Sequence, residues 1–197
     1  MGKVVLRAGL WLLVPASLLA QGNAGLPATP KAELAAGYAY VRIEGSDLHG
    51  WNVSLAGNVN RNLGIVGDFA GHYNSEKSTI GTATTSSNLT LTSVMAGLRV
   101  SERSNRMFTP FAQALFGMTR VNADLTVDQP GTTSSTATND VTGFSTAVGG
   151  GLDIRLGETV AFRLFQADFL LIRSDGFKHE GARISTGIVW RFGQRND

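Results

Sequence analysis

The chain has 197 residues, with 17 Lys+Arg against 15 Asp+Glu and no cysteine. The missing cysteines exclude a disulfide framework, a lipid-modified N-terminal cysteine and thiolate metal sites. Charged residues are 16% of the chain, against about 25% in an ordinary soluble domain.

The first residues read as a cleavable export signal. Lys3 and Arg7 form a basic start, and Ala8–Ala20 is apolar but interrupted by Pro15. That run is too short for a spanning helix, which needs roughly 20 residues. Gly22-Asn23-Ala24 supplies the small residues a signal peptidase reads, so cleavage is expected after Ala24, with Ala20 as the second choice. Residues 1–24 carry two of the 17 basic residues and none of the acidic ones, so the remainder is balanced. The basic precursor is therefore no argument for nucleic-acid binding. Residues 25–31, with Pro27 and Pro30, read as a lead-in, residues 32–193 as one domain, and residues 194–197 as a C-terminal extension.

Eight strands are expected in that domain, over about 33–42, 50–59, 63–73, 89–100, 108–122, 142–155, 159–173 and 181–192. The last is the clearest. Ile184, Thr186, Ile188, Trp190 and Phe192 share one face, and Arg183, Ser185, Gly187, Val189 and Arg191 the other. The second, third and sixth also alternate cleanly, whereas the first, fourth, fifth and seventh do so less well. In the seventh, Phe162 and Leu164 share parity with Gln166 and Asp168, a conflict a β-bulge would resolve.

Large apolar residues on one face, with small or charged residues on the other, suit a strand between lipid and a crowded polar lumen. The fold class expected is all-β, an eight-stranded antiparallel up-and-down transmembrane β-barrel. A soluble lipocalin-like barrel or sandwich would turn the apolar face inward. Its outside would then be Gly, Ser, Ala and Asn with few charges, a poor soluble surface.

The connections support the membrane orientation. Residues 60–62 and 156–158 are short turns and 101–107 falls on their side, whereas 74–88, 124–141 and 174–180 are long and polar and fall on the other side with a modest first loop, 43–49. Long loops outside and short turns inside are the asymmetry of transmembrane barrels, and with an even strand number it puts both termini in the periplasm. Tyr40, Trp51 and Tyr73 fall at the expected outer strand ends, and Phe108, Phe111, Phe162, Trp190 and Phe192 at the inner ends, as two aromatic girdles.

Tyr38–Tyr40, Gly50-Trp51-Asn52, Thr109-Pro110-Phe111-Ala112-Gln113, Gly149-Gly150-Gly151-Leu152-Asp153, Gln166-Ala167-Asp168 and Ile188-Val189-Trp190-Arg191-Phe192 follow one another in a familiar order. In this the chain resembles the small outer-membrane β-barrel family, similar to the OmpA transmembrane domain and to OmpX-like proteins. The resemblance implies a monomer in the outer membrane of a Gram-negative bacterium. It also implies contact with lipopolysaccharide and the barrel-assembly machinery, and loops open to an extracellular ligand.

Chemistry-bearing residues are few. Asp68, Asp153, Arg155, Asp168, Arg183 and Arg191 take or adjoin inward parity and are expected to form an ion-paired lumen network, because unpaired burial is costly. The other use of such a network is a gated ion path. His49, His72 and His179 fall near the outer end with Asp47, Glu76, Asp175 and Glu180 close in sequence. Their spacing matches no ligand motif, so they read as unrelated polar residues and not as a metal or acid–base site. Lipid A deacylases use a His-x-Ser-Asn pattern. Here, in His72-Tyr73-Asn74-Ser75, the serine is one position too far and falls on the opposite face. Gly149-Gly150-Gly151 lacks the spacing of a phosphate cradle and reads as room for close packing. The serine- and threonine-rich stretches 78–92 and 132–142 read as solvated loops.

The expected role is structural or interaction-based, without catalysis, cofactor or metal. A small-solute pore is the alternative, followed by a lipid-modifying enzyme or a soluble ligand binder.

Overall fold

Strands that alternate over ten or more residues can bury one face only by closing or stacking, and here they close. The computed structural model describes residues 28–80, 83–128, 135–174 and 177–195. The expected signal with its cleavage positions Ala20 and Ala24 lies outside the described residues, as does Asp175.

The elements are β1 (Thr29–Ile43), β2 (Ser46–Asn58), β3 (Leu63–Ile80), β4 (Ala83–Ser101), β5 (Phe108–Asp128), β6 (Ser135–Arg155), β7 (Val160–Ser174) and β8 (Phe177–Arg195). Each pairs antiparallel with the next, and β1 pairs with β8 to close the barrel. Closure removes the open sheet edges that lipid cannot satisfy.

The faces decide the orientation. Phe116 is 59% exposed and Leu98 53%, and Leu55, Ile65, Phe69, Val94, Met118, Phe144 and Ile184 also stand on the outer surface. Inside lie small, polar and charged residues together with a belt of aliphatics. A soluble barrel would reverse this arrangement.

The strands run further than the sequence suggests, and mostly at one end. The serine- and threonine-rich stretches expected as loops are paired hairpins, with β3 and β4 matched out to Ile80 opposite Ala83, and β5 and β6 out to Val127 opposite Ser135. β4 and β5 stay paired out to Thr84 opposite Asp128, so β3–β6 form a four-stranded sheet projecting past the rim. Threonine and valine keep such stretches extended even when they face water on both sides. The first loop is also shorter than expected. It is a two-residue turn, Glu44-Gly45, with φ of 50° and 86°, the pair of left-handed residues that a type I′ hairpin turn requires. At the other end the expected lead-in and C-terminal extension pair with each other, Thr29 opposite Arg195 and Pro30 opposite Gln194.

β7 holds the predicted irregularity. Its register slips between Arg163 and Gln166 against β8, where Arg163 meets Gly187 and Gln166 meets Ser185. The extra residue puts Leu164 and Phe165 side by side on the outer face, while Ala161, Arg163, Gln166, Asp168 and Leu170 all face inward. This resolves the parity conflict of Phe162 and Leu164 with Gln166 and Asp168.

Two deletions test that reading. Removing Leu164 straightens the ladder and keeps every other face. Removing Ala167 sends Gln166 or Asp168 to the lipid side, whichever way the ladder re-forms. The first variant is expected to retain a compact, fast-migrating form on unboiled SDS gels, and the second to lose it.

Candidate functional site

The interior of an eight-stranded barrel is just wide enough for side chains to fill, so every inward charge must find its partner among the other walls. Among the described residues the lumen buries four carboxylates, Glu33, Asp68, Asp153 and Asp168, and five guanidiniums, Arg99, Arg103, Arg163, Arg183 and Arg191.

Arg183, on β8, is 1% exposed. Its Nη1 donates to Asp68 Oδ1 on β3 at 2.8 Å, and its Nη2 to Asp168 Oδ2 on β7 at 2.8 Å. Asn52 Nδ2 and Gln166 Nε2 complete the two carboxylates at 2.8 and 2.7 Å. Gln113 Nε2 reaches Asp168 Oδ1 at 3.2 Å and, through its Oε1, accepts from Arg99 Nη2 at 2.9 Å. Arg163 meets Asp153 bidentately, Nε to Oδ1 at 2.8 Å and Nη2 to Oδ2 at 3.1 Å, and donates from Nη1 to Gln166 at 2.8 Å. One connected network therefore ties β2, β3, β4, β5, β6, β7 and β8 together.

Toward the terminus-bearing end a second group closes the lumen. Arg103, from the turn between β4 and β5, reaches in and grips Glu33 of β1 through Nη1 and Nη2 at 3.1 and 3.0 Å. Its Nε donates to the Arg61 carbonyl at 3.0 Å, and Arg61 Nη2 returns the bond to the Arg103 carbonyl at 2.7 Å. Arg191 Nε adds a longer contact to Glu33 Oε1 at 3.3 Å.

Of the six residues expected in the network, Asp68, Asp168 and Arg183 come together, Asp153 joins them through Arg163 and Gln166, and Arg191 belongs to the Glu33 group. Arg155 does not join. It is half-buried near the rim, and its Nε has no partner. Sequence reasoning missed Glu33, Arg99, Arg103 and Arg163.

Phe111 is a correction. Expected in the inner aromatic girdle, it is 7% exposed and lies inside the barrel. The guanidinium carbons of Arg99 and Arg163 stand 4.5 and 4.6 Å from its ring centroid. Each cation gains from the ring quadrupole, which offsets part of the repulsion between the two like charges. Gly151, opposite Phe111 in the register, makes room for it. A Cβ there would sit 2.8 Å from the ring Cζ and 2.4 Å from the Phe165 carbonyl oxygen. The other girdle residues, Tyr40, Trp51, Tyr73, Phe108, Phe162, Trp190 and Phe192, all lie on the outward face, and Trp51 packs edge-on against Phe69 at 5.1 Å.

Alongside the network and beyond it, away from the termini, an apolar cluster fills much of the lumen, including Val66 and Leu115 beside the charges and Val41, Leu48, Leu91 and Ile172 further out. The lumen opens into a cavity of about 300 Å³ walled partly by Ile43, Leu91, Val121 and Ile172. His179 and Glu44 meet at this mouth at 2.7 Å.

The three histidines do not converge. His49 stands outside and hydrogen-bonds the Tyr38 hydroxyl. His72 is buried inside with no partner on either ring nitrogen. Ser75, by contrast, is exposed. Of the acidic neighbours, Asp47 accepts from the Tyr40 hydroxyl at 2.5 Å, Glu180 pairs with Lys178, and Glu76 is exposed. Among the described residues no group of three such side chains could hold a metal ion. On the projecting sheet, hydrogen bonds from Arg120 hold the Asp140 carboxyl below its ordinary range.

Arg163→Met leaves Asp153 buried without its cation, which costs about 3–5 kcal/mol. Adding Asp153→Asn is expected to recover most of that loss. Urea unfolding from lipid vesicles measures both, and an unchanged single variant would contradict the pairing. Phe111→Leu is expected to cost about 1–3 kcal/mol through lost ring area and lost cation–π contact.

A family model described as "Outer membrane protein beta-barrel domain" matches residues 9–192. No curated protein matches the chain. Among solved structures, Ail, the attachment invasion locus protein of Yersinia pestis, superposes with a TM-score of 0.58 at 19% identity, covering 83% of this chain and 99% of Ail. Ail in complex with the heparin analogue sucrose octasulfate gives 0.57 at the same identity and coverage. Neisserial surface protein A gives 0.49 at 15% identity, covering 82% of this chain and 96% of that one. With the family model spanning nearly the whole chain over a closed eight-stranded barrel, the protein belongs to the small outer-membrane β-barrel family of Gram-negative bacteria.

Proposed function

We propose that this outer-membrane barrel is a sealed, non-catalytic wall element that carries an interaction surface on its projecting sheet. The observation behind this reading is the filled lumen. Arg183 spans from β7 to β3, and Arg103 reaches across to Glu33 near the terminus-bearing mouth, so ion pairs cross the lumen at two levels. A closed lumen argues against the pore alternative. The separation of His72 from Ser75 argues against a deacylase-like nucleophile and base, which must meet within hydrogen-bond distance.

In this reading both termini face the periplasm, and the four-stranded extension of β3–β6 faces outward, since the longer hairpins of such barrels are extracellular. Its serines and threonines offer many hydrogen-bonding groups to an external partner. Ail has been crystallised with a heparin analogue, and a polyanionic saccharide is one ligand class to try on this surface. Lipopolysaccharide is the expected neighbour in the membrane. Arg173 and Lys178 are opposite each other on β7 and β8, both exposed at the outer end, where a lipid phosphate would meet them. Insertion as a monomer by the barrel-assembly machinery completes the proposal.

Planar-bilayer recording separates plug from pore. The purified protein is expected to give no stable unitary currents, and Arg183→Ala, which removes the spanning cation, is expected to give flickering ones. Stable unitary currents from the unaltered protein would overturn the sealed reading in favour of the pore.

A further inference from the structure

The charges inside the barrel do not balance, and the imbalance has a location. Five buried guanidiniums face four buried carboxylates among the described residues. Arg103, Arg163 and Arg183 each hold carboxylates at about 3 Å, and Arg99 has Gln113 and the Phe111 ring. Among the described residues the Arg191 side chain makes one hydrogen bond, Nε to Glu33 Oε1 at 3.3 Å, and that oxygen already accepts from Arg103. The Arg191 side chain is 2% exposed. Its Nη1 and Nη2 are both shielded from water and have no hydrogen-bond partner. Leaving buried charged donors unsatisfied is expensive.

Arg191 lines a pocket of about 110 Å³ at the terminus-bearing end, and Arg155 lines it too. The Nε of Arg155 is likewise buried and unpartnered. The remaining wall is Ala28, Pro30, Glu158, Gly193 and Gln194. Glu158 stands on the exposed turn after β6; its charge is near enough to act on Arg155, but among the described residues it forms no ion pair with either arginine. The β1–β8 ladder passes from Ala32 opposite Phe192 to Pro30 opposite Gln194 without a rung between them. Gly193 bends the strand there with φ of 65°. The gap opens a recess with room for roughly three or four waters at ~30 Å³ each, the scale of one small tetrahedral anion.

We propose that Arg155 and Arg191 form a binding site for one small oxyanion, a phosphate-type group, at the terminus-bearing mouth of the barrel. The unpartnered nitrogens are closed to water as they stand, so binding turns the two side chains slightly into the recess, where the planar fork of each guanidinium matches the oxygens of such a group. The bound anion would neutralise the excess cation of the plug and stitch β6 to β8 beside the β1–β8 closure.

The test is the arginine Nε–Hε NMR signals of the whole chain in a maltoside micelle, whose headgroups carry no phosphate. Inorganic phosphate is expected to shift the Arg155 and Arg191 signals saturably at millimolar concentration, while chloride at matched ionic strength leaves them in place. Arg155→Gln is expected to weaken binding about tenfold or more as read at Arg191, with folding checked by unboiled gel mobility. Arg155→Lys is expected to restore part of it. A second arm replaces free phosphate with bilayers containing phosphatidylglycerol. A saturable response in either arm supports the site, and the arm that gives it names the source of the phosphate group. Three results would overturn the proposal: no response in either arm, a response unchanged by Arg155→Gln, or signals that move only when Asn196 and Asp197 are deleted. The last would make the chain's own carboxylates the occupants.

Discussion

Arg183 lies between Asp68 and Asp168, and the register of the barrel depends on that contact. It joins β8 to its neighbour β7 and, across the lumen, to β3. Its value is less in net energy than in exclusion of alternatives. A buried ion pair does little better than well-packed apolar residues, but breaking one strands a charge. A one-residue slip of any strand would turn its charges toward lipid and its aromatics into the lumen. The network therefore penalises slipped registers far more than it rewards the native one.

The same constraint accounts for the local irregularities. The bulge at Leu164–Phe165 keeps Arg163, Gln166 and Asp168 on one face despite their odd spacing. Glycine at 151 leaves space for the Phe111 ring between two guanidiniums. The turn after β4 sends Arg103 back inside to meet Glu33, 70 residues away in sequence. In each case the local structure makes room for a buried charge or for the ring that receives it.

Much of this barrel was legible in the sequence, because lipid on one side and a crowded lumen on the other impose a period of two. Ile184 to Phe192 against Arg183 to Arg191 shows it most clearly, and the second, third and sixth strands show it too, while the other four alternate less cleanly. What alternation does not encode was lost. Arg103 sits in a polar turn, where an arginine ordinarily means solvent. Phe111 looks like a girdle aromatic, because only its two cationic neighbours, on β4 and β7, explain an aromatic ring inside. Arg155 has the parity of Asp153 but stands near the rim and pairs with none of the buried carboxylates among the described residues. The projecting hairpins were read as loops, since a strand exposed on both faces has no apolar side to reveal it. The three histidines are close to the same end in sequence, yet the wall separates His49 from His72, and His179 is engaged with Glu44.

The central claim is that this chain is folded with its apolar face outward and its charges sealed within, and contact with lipid tests it most directly. In nanodiscs with protonated acyl chains, NMR cross-relaxation should connect the lipid tails to Phe69, Leu98 and Phe116 and leave Met95 and Leu115 untouched. Acyl contacts at Met95 and Leu115, with none at the three outer residues, would mean that the faces are reversed and the account is wrong.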